Sequence, residues 1–131
     1  MKKILSAFLI SFLIIIEALA ADLKNISTRG FVGPGEQNMH AGFVVEGEGT
    51  VQVLIKAGGP SLPPDLNGLP DPNLRLFNAA NGSQLYQNDN WQNDPCSNLV
   101  AATGLAPTHS NEPAVVRDLS AGRSTAVSLA L

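Results

Sequence analysis

Apolar and polar positions alternate with a period of two through most of the chain beyond residue 20. In Val51 to Ala57 the side chains of Val51, Val53, Ile55 and Ala57 share one face while Gln52 and Lys56 take the other, which is the pattern of a half-buried strand. Shorter runs of the same kind lie at Leu23 to Arg29, Gly42 to Glu46, Leu74 to Asn78, Gln84 to Asn88, Ala114 to Leu119 and Ser124 to Leu131. Short strands at this spacing predict an all-β fold, a single antiparallel β-sandwich or jelly-roll-like domain. The separators carry turn residues: Gly33-Pro34-Gly35, Gly47-Glu48-Gly49, Gly58-Gly59-Pro60, Pro63-Pro64-Asp65, Asn81-Gly82 and Ala121-Gly122. Two are of hairpin length, Gly47-Glu48-Gly49-Thr50 and Asn81-Gly82, because Gly and Asn tolerate positive φ. Only 97–103 reads as helical, a short turn closed by Gly104.

The first twenty residues follow a different pattern. Met1-Lys2-Lys3 is basic, Ile4 to Ile16 is apolar with small residues, and Ala18-Leu19-Ala20 forms an A-x-A cleavage site before Ala21. The apolar run falls short of the ~20 residues a spanning helix needs, and Glu17 closes it. Residues 1–20 are therefore expected to be a signal peptide cleaved at Ala20-Ala21, and 21–131 one domain exported to the extracellular space or cell envelope. No cysteine follows the small residues, so no lipid anchor is indicated.

Charge narrows the partners. The 131-residue chain carries 8 basic and 11 acidic side chains, and losing Lys2, Lys3 and Glu17 with the leader leaves 6 and 10. A net negative domain is a poor partner for nucleic acid or an anionic membrane. The remaining 111 residues can bury roughly 60–70% of their unfolded surface, enough to fold without disulfides. None can form internally, since Cys96 is the only cysteine; it is either a buried small hydrophobe or a free thiol.

Several segments share an order and spacing with a known kind of module: 23–33 (with Asn25-Ile26-Ser27-Thr28-Arg29-Gly30), Ala41 to Val45, Gly59-Pro60-Ser61-Leu62, Asp71-Pro72-Asn73-Leu74-Arg75-Leu76, Asn88-Asp89-Asn90-Trp91 and Ala101-Ala102-Thr103-Gly104-Leu105-Ala106-Pro107. Over residues 23 to 123 the chain resembles an uncharacterised extracellular bacterial module that is itself similar to the bacterial pre-peptidase C-terminal domain, a β-sandwich appended to secreted enzymes. The resemblance implies an accessory module, not a catalyst. It also implies that the Leu119-Ser120-Ala121-Gly122 turn is followed by a strand, a second turn and a closing strand. Here the chain ends at Leu131, so a C-terminal truncation, with Ser124 to Leu131 as an open edge available to another chain, is expected.

Candidate chemistry concentrates at 88–94, where carboxylate and amide oxygens cluster at a strand end. Calcium takes six to eight oxygen ligands, and Asp89, Asn90 and Asp94 are the candidate ligands, although the spacing is not that of an EF-hand. The competing reading has these side chains capping their own turns while Trp91 plugs the core. His40 and His109 each lack a nearby second ligand. Ser61 lacks the G-x-S-x-G elbow, and Cys96 has no nucleophile signature. Tyr86 and Trp91 are the candidate sugar-stacking aromatics, with Phe31, Phe43 and Phe77 assigned to the core. Asn25-Ile26-Ser27 and Asn81-Gly82-Ser83 match the N-glycosylation pattern but matter only in a host that reads it.

These features predict a non-catalytic module serving binding, spacing or stabilisation, with an extracellular protein or polysaccharide as partner. Two alternatives remain open: a calcium-stabilised protein- or carbohydrate-binding domain, and a small hydrolase using Ser61 or Cys96.

Overall fold

A computed structural model describes residues 27–33 and 37–130, the stretch 123–130 through its strand pairing. Residues 1–20, expected to be a signal peptide, residues 23–26 of the first expected strand, most of the Gly33-Pro34-Gly35 turn and Leu131 lie outside the described residues. Ser27 to Arg29 is irregular, not strand.

The described residues are all-β apart from short helical turns. Strand β1 spans Met39–Lys56, β2 Pro72–Asn78 and β3 Gln84–Asn88; the helix α1 is Ser97–Ala102, and β4 spans Ala114–Ala130. All four strands join one antiparallel sheet in the order β1-β4-β2-β3. Helix α1 falls where the sequence pattern places it, and Gly104 beyond its end adopts the positive φ expected of a closing glycine.

The β2–β3 hairpin follows from its turn residues. Gly82 has φ +72 and donates its N–H to the Asn78 carbonyl at 2.8 Å, while Asn81 Oδ1 accepts from both the backbone N–H and the hydroxyl of Ser83. The other expected hairpin is absent. Gly47-Glu48-Gly49-Thr50 does not reverse the chain; it is a large bulge inside β1. Val45 pairs with Gly122 and Thr50 with Ser120, so four residues of β1 stand opposite Ala121 alone. Gly47 and Gly49, at φ +101 and +82, absorb the extra length. The expected Ala121-Gly122 turn is the other side of the same bulge, and the expected strand 114–119 and the described part, 124–130, of the next one belong to a single strand.

The bulge folds the sheet on itself. Tyr86 pairs with Leu76, which pairs with Ala126, nine positions along β4 from Arg117. A straight strand rising ~3.3 Å per residue would separate those positions by about 30 Å. Instead the Arg117 guanidinium lies 4.4 Å from the centre of the Tyr86 ring. The β2–β3 hairpin therefore covers the half of β1–β4 that it does not hydrogen-bond to. Val45, Val53 and Ile55 of β1, Leu74 and Leu76 of β2, and Val115 and Leu119 of β4 form the enclosed core.

The opposite face of that half is covered too. Val100 of α1 packs with Ala114 and Val116, with Leu54, Trp91 and Ala106 around them. Trp91 thus fills a core as expected. Of the phenylalanines, Phe43 and Phe77 are half-buried, but Phe31 is 79% exposed and is no core residue. Residues 124–128 pair with β1 on one side and β2 on the other, so the outer strands of the sheet are β1 and β3 rather than this segment. At the start of β4 side chains substitute for a strand: Asn88 Oδ1 accepts the Ala114 N–H at 3.0 Å, and Arg117 Nη1 donates to the Val116 carbonyl at 2.8 Å.

Candidate functional site

Two buried carboxylates organise the polar chemistry of the folded half, and each is tied down differently. Asp94 ends the one-turn helix Trp91–Asn93 that follows β3, and its side chain is 2% exposed. Both its oxygens are engaged by Arg117 of β4, Oδ1 by Nη1 at 2.9 Å and Oδ2 by Nη2 at 2.7 Å. Oδ1 also accepts the Cys96 N–H at 2.8 Å, which sets the turn into α1. Burial would raise the Asp94 pKa, but the Arg117 hydrogen bonds, the Cys96 N–H and the guanidinium charge outweigh it and hold the carboxyl below its usual value. Arg117 is raised in turn, chiefly by its hydrogen bond to Asp94 and against the effect of burial.

Both Asp94 oxygens are therefore engaged, by Arg117 and by the backbone of its own turn. Asp89 and Asn90 are half-buried at the end of β3, and the Asn90 carbonyl accepts from Asn88 Nδ2 and the Asn93 N–H, both at 2.9 Å. Among the described residues no group of three or more His, Cys, Asp or Glu is placed to hold a metal ion. The turn-capping reading describes this corner: Asn88 and Asp94 each hydrogen-bond the backbone two residues on.

The second carboxylate, Glu112, carries no motif in the sequence. Its side chain is 1% exposed just before β4, and Oε1 accepts the N–H groups of Gly59 at 2.7 Å and Ser61 at 2.8 Å. Burial would raise this carboxyl as well. The Ser61 side chain, the two backbone N–H groups and the charge of His109 outweigh that effect and lower it. The turn it grips closes with the Leu62 N–H on the Gly59 carbonyl at 3.0 Å. Gly59 and Gly68 cross so closely that a Cβ on the first would run into the Leu69 carbonyl and one on the second into the Gly59 carbonyl. Beside this turn opens a cavity of about 270 Å³, walled by residues 56–58 and 106–108 together with Ser61 and Glu112.

The remaining candidates are dispersed. His40 is exposed on β1; His109 is exposed in the loop before β4, where its Nδ1 accepts the Asn111 N–H at 3.3 Å. Cys96 is a half-buried free thiol at the start of α1. Ser61 is exposed at the cavity and meets Glu112 rather than a histidine. Tyr86 is half-buried with Arg117 over its ring, and Trp91 is half-buried against the second core. Comparison with protein-family models, curated proteins and solved structures finds no match for this chain.

Proposed function

We infer that the chain is a non-catalytic accessory module of a secreted or cell-envelope system, exported by cleavage at Ala20-Ala21. The resemblance to the extracellular module that is similar to the pre-peptidase C-terminal domain supports the class. The folded sheet, with β2–β3 lying over one half of β1–β4, is compatible with the sandwich architecture of that class.

The observation that carries the reading is the state of the buried carboxylates. A general acid or base working near neutral pH needs a pKa tuned towards 7, which for a carboxyl means raised. Asp94 and Glu112 are both lowered. Glu112 is the carboxylate beside Ser61, and it spends its oxygen on two backbone N–H groups. Such a group is a weak base for activating a hydroxyl nucleophile. At the 88–94 corner the positive charge that calcium would provide is already provided by Arg117.

Esterase, peptidase and glycosidase screens of the exported chain, run beside Ser61→Ala, Cys96→Ala and Glu112→Gln, test this. Turnover is expected to stay at background; turnover abolished by any of the three overturns the reading. Amino-terminal sequencing of the exported product is expected to begin at Ala21.

A further inference from the structure

The cavity beside the Glu112-held turn has a lining that selects a class of ligand. Four of the lining residues carry polar side chains: Lys56 an ammonium, Ser61 and Thr108 hydroxyls, and Glu112 a buried carboxylate. Ala57, Ala106 and Pro107 make up the apolar part of the lining. Its volume of about 270 Å³ lies just under the range for drug-sized ligands, roughly 300–1,000 Å³, so the occupant is a single small unit.

Charge decides which unit. Glu112 is fixed in place by Gly59 and Ser61 and cannot turn away, so an anion entering the cavity meets an ionised carboxylate. A cation meets Lys56, whose Nζ is held at the cavity by a 3.1 Å hydrogen bond to the Leu105 carbonyl and keeps donors to spare. A neutral ligand avoids both penalties. Groups that both donate and accept suit this mixture of ammonium, carboxylate and hydroxyls, and closely spaced alcohols are such groups. We propose that the cavity is a binding site for a neutral, hydroxyl-rich unit, such as one sugar residue of an extracellular polysaccharide. The turn that frames it is preformed by the Gly59–Gly68 crossing, so little ordering opposes binding. With no aromatic among the lining residues, recognition rests on hydrogen bonds.

The proposal rests on the non-catalytic reading, and the two fail separately. Cleavage of a sugar conjugate that depends on Glu112 would overturn the non-catalytic reading, whereas absence of binding overturns the pocket alone. The test titrates the labelled, exported chain separately with D-glucose, D-galactose and D-mannose, and with acetate and methylammonium as charged controls, reading backbone amide shifts by nuclear magnetic resonance. Saturable shifts at Gly59, Ser61 and Thr108 are expected with at least one sugar. Affinity should fall roughly threefold to tenfold in Thr108→Val and in Lys56→Met, the range for one lost hydrogen bond. Both residues are exposed, so the variants keep the fold, as the same spectra report. No saturable shift with any sugar, saturation by a charged control alone, or unchanged affinity in both variants would overturn the site.

Discussion

Asp94 and Glu112 solve the same problem, a carboxylate inside the protein, with opposite partners. Asp94 faces a full positive charge, which is itself stacked on Tyr86. Glu112 faces two neutral N–H groups of a turn. In the first case both partners have been desolvated and each needs the other; in the second the carboxylate serves backbone that has no other partner. The pairing at Asp94 joins β4 to the end of β3, so it locks the fold of the sheet. The pairing at Glu112 shapes one loop and the cavity beside it. A charge pair therefore governs global stability here, and a charge-to-backbone tie governs local form.

Breaking each tie separates the two roles. Asp94→Ala leaves the largely buried Arg117 guanidinium without its counter-charge, and loss of one member of such a pair costs about 3–5 kcal/mol. Denaturant unfolding of the protein is expected to show that loss. Replacing Arg117 by Met in the same background should restore part of it, because no unpaired charge is then buried. A double variant as unstable as Asp94→Ala would show that the cost lies in the Cys96 cap instead. Glu112→Ala strands the Gly59 and Ser61 N–H groups, at about 1–3 kcal/mol, while Glu112→Gln keeps an acceptor and should cost less. Hydrogen exchange should quicken at Gly59 and Ser61 in Glu112→Ala and leave β2–β3 unchanged; uniform quickening would show that this tie is global too.

How much of this is legible in the sequence depends on whether a signal is local. The Asn81-Gly82 hairpin and the 97–102 helix are local, and turn chemistry finds both. Gly47-Glu48-Gly49 has the same positive-φ residues as a hairpin, and only the pairing of both halves of β1 with β4 makes it a bulge. That information lies some seventy residues away in β4. The continuity of 114–119 with 124–130 is hidden for the same reason. Asp94 stands out for the amide side chains and the one other carboxylate in 88–94, yet its partner is twenty-three residues on and on another strand. Glu112 gives no signal at all, since a single glutamate before a proline is ordinary. The turn it serves, Gly58-Gly59-Pro60-Ser61, is visible as a turn, but unpaired N–H groups in a turn are not visible in a sequence.

Acid sharpens the contrast between the two carboxylates. Both pKa values are lowered on folding, so in the acid range the unfolded chain binds more protons than the folded one, and stability rises with pH there. The contribution is complete above the ordinary carboxylate values of about 3.9–4.3 and is lost as pH falls through the lower folded values. Unfolding midpoints measured from pH 6 downward should therefore drop below about pH 4. The drop should be shallower in Asp94→Asn and in Glu112→Gln, each of which removes one titrating group. An unchanged slope in Asp94→Asn would mean that its pairing with Arg117 is already present in the unfolded chain.

The smallest expected effect is that of calcium. A metal that binds only the folded state raises its stability by mass action, and at a hundredfold excess over its dissociation constant the gain is about 2.7 kcal/mol. For such a gain at 88–94 the ion would have to draw Asp94 from Arg117, stranding the guanidinium against the core, or bind through Asp89 and Asn90 with carbonyls and water filling most of its six to eight positions. Thermal unfolding of the protein is therefore expected to be the same after chelation and in millimolar calcium. A calcium-dependent rise abolished by Asp89→Ala but retained in Asp94→Asn would place an ion beside the Arg117 pair and leave that pair intact. A rise abolished by both would mean that the ion replaces Arg117 as the partner of Asp94, and the division between a charge-locked sheet and a backbone-held loop would fail at its stronger half.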